Sequence, residues 1–188
     1  TLILGARGGL DILVAANEGA ARITAVEANP LITTQAPHIY NLPGVNLIQE
    51  ADRSYLRQSW EQYDVIVYSL NTAYHPVSSG AYSLGEDYRY TVESLEEALS
   101  LLKPGGMLVV NRWLQTPPSE FLRAFSLAVE ALERADLSPE NNLAAFRSFN
   151  VGTVLVKNKP FTDTELDSLR TFTEQRAFDM VYAPDIEL

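Results

Sequence analysis

A carboxylate set at a fixed distance beyond a glycine-rich turn can hold the sugar of a nucleoside, and this chain has that pairing near its start. Gly5, Ala6, Arg7, Gly8 and Gly9 directly follow the apolar run Thr1-Leu2-Ile3-Leu4. Backbone approaches a ligand closely only where side chains are small or absent, so such a turn suits a nucleotide-like molecule. Asp11 comes next, and Glu27 stands sixteen residues after it, closing a second apolar run, Ile23-Thr24-Ala25-Val26. Nucleoside-binding α/β folds hold ribose hydroxyls with an acidic residue ~20 positions past such a loop. The loop and Glu27 together predict a nucleoside site; the plainer alternative is a tight strand–helix turn without a ligand.

Other residues invite weaker readings. Asp52 opens a short helical pattern, where a carboxylate serves as an N-cap. Ser69, Asn71 and Thr72 follow the run Tyr63–Tyr68, at the carboxyl edge where open α/β sheets place ligands. The next stretch is rich in aromatics, with Tyr74, Tyr82, Tyr88 and Tyr90 around His75; a substrate-covering loop and ordinary rim packing both fit. His75 precedes Pro76 in that loop, and His38 reads as structural. Glu86 and Asp87 read as the acidic first turn of a helix.

Bulk properties narrow the classes. At 188 residues the chain fits one domain, burying roughly 70% of its unfolded surface. The 24 acidic residues outweigh 14 basic ones, a net charge of −10, so the field repels phosphate backbones and nucleic acid is not expected as a partner. A small-molecule substrate, cationic or neutral, tolerates that field. The absence of cysteine removes disulfides, thiol nucleophiles and thiolate zinc sites, and two histidines are too few for a His-rich metal site. No apolar run reaches the ~20 residues of a membrane helix and no signal peptide is visible, so a cytoplasmic domain is expected. Thr1 already lies within a strand, which predicts a piece of a longer polypeptide. That leaves room upstream for a β-rich domain or a membrane region that would tether this one. Homo-oligomer formation is left open.

Strand-like and helix-like segments alternate, the pattern of a parallel sheet covered by helices on both faces. Expected strands are Leu2–Gly5, Arg22–Glu27, Val45–Gln49, Tyr63–Tyr68 and Met107–Val110, with helices at Gly9–Glu18, from Pro30 behind an Asn29 cap, and at Asp52–Ser59. Tyr88–Leu102 is amphipathic, with Val92, Leu95, Leu99 and Leu102 on one face, and Lys103-Pro104-Gly105-Gly106 ends it. Pro117-Pro118 opens a helix to about Arg134. Leu143–Phe149 and Val151–Lys157 are separated by almost nothing, so a tight hairpin makes one of them antiparallel to the rest. Thr162-Asp163-Thr164-Glu165 is a capping box for the last helix, and Phe178–Tyr182 suits a final short strand.

This order resembles the class I S-adenosylmethionine-dependent methyltransferase fold, and within it the spermidine synthase-like family. The matching stretches are Leu2–Asp11, Ala25-Val26-Glu27-Ala28-Asn29-Pro30, Glu50-Ala51-Asp52-Arg53-Ser54-Tyr55-Leu56, Tyr63-Asp64-Val65-Ile66, and Tyr90-Thr91 leading to Lys103-Pro104-Gly105-Gly106. Each motif is weak alone, but their order covers about the first 115 residues. The expected fold is therefore Rossmann-like: a mostly parallel, twisted seven-stranded sheet with an antiparallel C-terminal hairpin and helices on both faces.

The resemblance implies S-adenosylmethionine, or its decarboxylated form, as cofactor. It would lie across Gly5, Ala6, Arg7 and Gly9, with Glu27 on the ribose beside Ala28, Asp52 at the adenine amine beside Arg53, and Ser69 near the reacting group. The family has an aspartate where this chain has Gly8, and Asp11 is the nearest replacement. Two further aspartates that handle an attacking amine correspond to Ser69 and Thr72, neither of which holds a cation by charge or readily accepts a proton at neutral pH. Ser69, Thr72 and Tyr90 are the candidate catalytic residues. Arg7 could lie over the cofactor pocket, point outward, or pair with a cofactor carboxylate, and the last option would favour methyl transfer. Methyl transfer to an unknown small acceptor is the leading expectation, aminopropyl transfer in polyamine biosynthesis the second. A catalytically degenerate nucleoside-binding or interaction domain is the third. A dinucleotide-binding dehydrogenase would need glycine where Arg7 and Leu10 stand.

Overall fold

The computed structural model describes residues 1–70, 88–115 and 118–186. Along the chain lie β1 (Leu2–Leu4), α1 (Leu10–Asn17), β2 (Ile23–Val26), α2 (Pro30–Gln35), α3 (Pro37–Tyr40), β3 (Val45–Ile48), α4 (Asp52–Gln58) and β4 (Tyr63–Tyr68). There follow α5 (Val92–Ser100), β5 (Leu102–Trp113), α6 (Ser119–Arg134), α7 (Pro139–Asn142), β6 (Leu143–Arg147), β7 (Val151–Lys157), α8 (Asp163–Gln175) and β8 (Asp179–Tyr182).

The described strands form one sheet of eight in the order β3-β2-β1-β4-β5-β7-β6-β8. β1 to β5 pair in parallel, and β7 runs antiparallel between β5 and β6. The expected sheet of seven is corrected to eight, because the short strand expected at Phe178–Tyr182 forms over Asp179–Tyr182 and joins the sheet, pairing antiparallel with β6 at its edge. The chain doubles back at β1, whose neighbours are β2 and β4; at such a switch point the loops leave in opposite directions and open a crevice.

Alternation along β1 divides the interior. Leu2 and Leu4 enter the larger core with Ile66, Tyr68, Leu95, Leu99, Leu108 and Leu132, on the side of α4, α5 and α6. Ile3 enters the smaller core with Ile12, Ile23, Ala25 and Ile39, on the side of α1 and α3. All three β1 side chains are fully buried, and each contributes about 1.5–3 kcal/mol of apolar stabilisation. A strand of such short length holds its place through this two-sided burial.

Several boundaries differ from expectation for identifiable reasons. α5 begins only at Val92, because the Thr91 hydroxyl accepts from the Ser94 amide and caps it there. Lys103-Pro104-Gly105-Gly106 lies inside β5 as an irregularity opposite Tyr63–Val65. Asn158 holds it: its Nδ2 donates to the carbonyls of Leu102 (3.2 Å) and Lys103 (2.9 Å), and its Oδ1 accepts from Gly105 N (2.8 Å). Pro118 precedes α6, as a residue without a donor N–H can. The capping box at Thr162 and Glu165 forms as the residues predict.

Candidate functional site

At the carboxyl end of β1 the backbone turns sharply, with positive φ at Gly5 (65°), Arg7 (47°) and Gly9 (82°). Arg7 is the costly member, since a side chain in this region is strained by about 1–2 kcal/mol. Both of its backbone groups are held: its N–H donates to Glu27 Oε2 at 2.9 Å, and its carbonyl accepts from the Tyr40 hydroxyl. Burial first, and the Glu27 charge second, push the Tyr40 phenol up to about 12.

Glu27 follows β2 and is 6% exposed. Its Oε1 accepts the Asn29 N–H at 2.9 Å, so each carboxylate oxygen holds one backbone donor. Asn29 in turn caps α2 through its Oδ1 and the Leu31 N–H. A carboxylate oxygen accepts two hydrogen bonds, which leaves one acceptor position on each for a ligand hydroxyl.

Gly5, Arg7, Glu27, Ala28, Asp52 and Arg53 come together around one cleft of ≈ 460 Å³. Asn29, Ile32, Ala51, Tyr88 and Arg89 complete its walls, and sequence reasoning did not place these five at a cofactor site. Ile32 was within reach of it, as an apolar residue in the first turn of the helix after Glu27. Arg89 carried no local signal; only the fold brings it to Gly5.

Asp52 is neither N-cap nor outward-facing. Ala51 takes the cap position without a side-chain bond, and Asp52 begins α4 with its side chain turned to the glycine loop. Its Oδ1 accepts from Gly5 N at 3.0 Å, and its Oδ2 pairs with the Arg89 guanidinium. Arg53 likewise is engaged, donating to Glu97 at 3.1 Å.

Other expected residues lie elsewhere. Asp11 lines a second cleft, with Thr1, Glu18, Glu61, Asp64 and Lys103, rather than the one at Glu27. Ala6 is buried in the smaller core and its N–H bonds the Val26 carbonyl at 3.1 Å. Gly9 occupies the N-cap position before α1, against Ile39, where a Cβ would come within 2.5 Å of the isoleucine. His38 is exposed in the last turn of α3, without the structural role expected of it.

Ser69 is buried at the end of β4, tied by its N–H to the Leu4 carbonyl at 3.2 Å; its hydroxyl has no partner among the described residues. Tyr90 is buried beneath the Arg112 guanidinium, 3.9 Å from its ring centroid, and 6.0 Å from the Tyr68 ring. Neither lines the Glu27 cleft. Thr72, with Asn71, Tyr74, His75, Tyr82, Glu86 and Asp87, lies outside the described residues.

No protein-family model and no curated protein matches the chain. Solved structures do match. Human methyltransferase-like protein 13 in complex with SAH superposes with a TM-score of 0.63 at 16% identity, covering 93% of this chain and 79% of that one. A probable spermidine synthase from Corynebacterium glutamicum gives 0.66 at 18% identity, over 93% of this chain and 61% of that one. A spermidine synthase in complex with the transition state analogue AdoDATO gives 0.60 at 13% identity, over 91% and 57%. This chain therefore spans about three fifths of the length of those two synthases. Similarity at this level establishes the fold, which is that of the class I methyltransferases and spermidine synthases. Among the described residues no helix is long and apolar enough to cross a membrane.

Proposed function

We propose that this chain is an S-adenosylmethionine-dependent transferase whose reaction is methyl transfer to a small acceptor. The observation that carries the reading is Glu27, a nearly buried carboxylate fastened by the Arg7 and Asn29 amides at the rim of the ≈ 460 Å³ cleft. Its remaining acceptor positions suit the paired hydroxyls of a ribose, and its backbone bonds hold it ready without a rearrangement. Ile32 and Ala51 offer apolar wall for an adenine ring. Asp52, with both oxygens turned to Gly5 and Arg89, is read as a brace of the loop rather than as the adenine contact.

Bound there, the cofactor supplies a methyl group on a sulfonium, an electrophile that demands in-line positioning more than a strong base. The protein's part is correspondingly one of placement. Gly5 and Arg7 line the cleft and Glu27 fixes the sugar, while Ser69 stands buried at the adjoining strand end, its hydroxyl without a partner among the described residues. Serine at that position, in place of the aspartate of the resembling family, favours methyl over aminopropyl transfer, whose attacking amine needs charge and a proton acceptor. A small-molecule acceptor accords with the acidic net charge.

Calorimetric titration with S-adenosylmethionine, its decarboxylated form and methylthioadenosine tests the reading. Binding of S-adenosylmethionine that Glu27→Ala abolishes is the expected result. A preference for the decarboxylated form would turn the assignment to aminopropyl transfer. Silence from all three, repeated on a longer chain, would identify a domain that keeps the fold without the chemistry.

A further inference from the structure

Gly5 has one face closed off by an arginine. A Cβ built on it would stand 2.5 Å from Arg89 Nη1, 2.8 Å from Nη2 and 2.9 Å from Cζ, so the guanidinium covers that face. A ligand atom brought to the same place would meet the group well inside the ~3.5–4.0 Å at which carbon atoms rest. Arg89 is held there by Asp52: the two pair, with side chains 17% and 5% exposed. Asp52 also accepts from the Gly5 N–H at 3.0 Å, so one carboxylate ties both the loop and the group that covers it. Gly5 and Arg89 line the same cleft as Glu27, whose Oε2 holds the Arg7 N–H two residues further along the loop.

We infer that Arg89 is an autoinhibitory residue: its guanidinium fills the part of the nucleoside cleft at Gly5, and a ligand reaches the loop only when Arg89 withdraws. The inference rests on the functional reading above and deepens it, since it concerns the regulation of that site.

The chain just beyond Arg89 is fixed. Tyr90 is buried in the larger core, its ring 6.0 Å from that of Tyr68 and beneath the Arg112 guanidinium, and Thr91 caps α5. What moves is the Arg89 side chain, a long stem with several staggered rotamers. Withdrawal breaks the pairing with a nearly buried carboxylate, and that cost keeps the open form a minority. Minor forms of this kind are populated at about 0.1–10%, and a ligand that binds only the open form loses affinity by that fraction, at least about tenfold.

The test is calorimetric titration of the wild-type chain, Arg89→Ala and Arg89→Lys with methylthioadenosine. This ligand carries no charge, so the loss of Arg89 changes its affinity through the space vacated and not through repulsion. Arg89→Ala is expected to bind it roughly 10-fold or more tightly than the wild type. Arg89→Lys keeps a charge for Asp52 but no plane to lay over Gly5, and should fall between the two. Because Arg89→Ala leaves a buried carboxylate unpaired, the double variant Asp52→Asn/Arg89→Ala is titrated beside it. Its amide oxygen still accepts from the Gly5 N–H, and it decides the matter if the single variant melts.

Equal affinity in the wild type and the alanine variants overturns the inference, and so does weaker binding by the variants, which would make Arg89 a wall the ligand needs. In both cases methylthioadenosine binds and the nucleoside reading stands. Binding by the variants where the wild type is silent supports the inference, and separates a blocked cleft from a domain without the chemistry. Silence from the wild type and every variant removes the nucleoside reading, and the inference with it.

Discussion

The Arg7 amide and the Glu27 carboxylate meet at 2.9 Å across twenty residues of sequence, and this bond joins the strained turn after β1 to the end of β2. It makes the glycine loop and the acidic residue a single object: the carboxylate cannot move without releasing the loop, and the loop cannot relax without exposing the carboxylate.

Glu27→Gln tests that coupling. The amide replaces one acceptor oxygen with a donor, which must face the Arg7 or the Asn29 N–H. A buried donor left against a donor costs about 1–3 kcal/mol of stability, visible in thermal melting. The ribose also loses an acceptor, so methylthioadenosine affinity should fall roughly 10-fold or more in calorimetry. Wild-type affinity in a destabilised variant would leave Glu27 a purely structural residue.

Gly5→Ala should be harmful twice over. The backbone sits at φ 65°, and the new methyl would lie 2.5 Å from Arg89 Nη1. The conformational strain alone costs about 1–2 kcal/mol. At roughly 2–4 °C per kcal/mol for a chain of this size, the melting temperature drops by several degrees. Displacement of Arg89 should also disturb its pairing with Asp52 in the wall of the cleft, which methylthioadenosine affinity reads by calorimetry.

Gly152→Ala provides the contrast. A Cβ there would fall 2.2 Å from Phe121 Cδ2, within the packing of α6 against β7 and away from the cleft. Overpacking of this kind costs about 1–3 kcal/mol, yet nucleoside affinity measured well below the melting temperature should be unchanged. A loss of affinity equal to that of Gly5→Ala would mean that the cleft responds to stability in general.

The Tyr40 phenol gives a pH signature. Its folded value of about 12, raised first by burial and then by the Glu27 charge, exceeds the ordinary 10. A group whose folded value is raised contributes stability below its unfolded value and loses it as pH climbs through the folded one. The contribution is therefore complete below pH 10 and gone near pH 12. Ultraviolet titration should show one late phenolate missing from Tyr40→Phe, whose stability deficit should shrink across that window. A Tyr40 that ionises near 10 would break the proposed support of the Arg7 carbonyl.

Periodicity, glycines, prolines and capping residues determined most of the fold, because these act between neighbours in the chain. Leu2, Ile3 and Leu4 announce a strand buried on both faces; Thr162 and Glu165 announce a helix start; Leu143–Phe149 and Val151–Lys157, separated by almost nothing, announce a hairpin, whose first strand ends at Arg147. The pairing of the loop with Glu27 was legible for the same reason, since a βαβ unit fixes the distance between a turn and the next strand end. Asp179–Tyr182 entered the sheet as its eighth strand through pairing with β6, a long-range match that no local pattern encodes.

The contents of the cleft were decided by the tertiary structure alone. Asp52 faces the loop because Gly5 N and Arg89 are there to receive it, and Arg89 lies on Gly5 because that residue has no side chain to exclude it. Asp11, one turn of sequence from the loop, points into another cleft because a helix carries each successive residue about 100° around its axis. Sequence spacing sets which residues can share an element; which of them share a site depends on packing between elements, where the partner is distant along the chain.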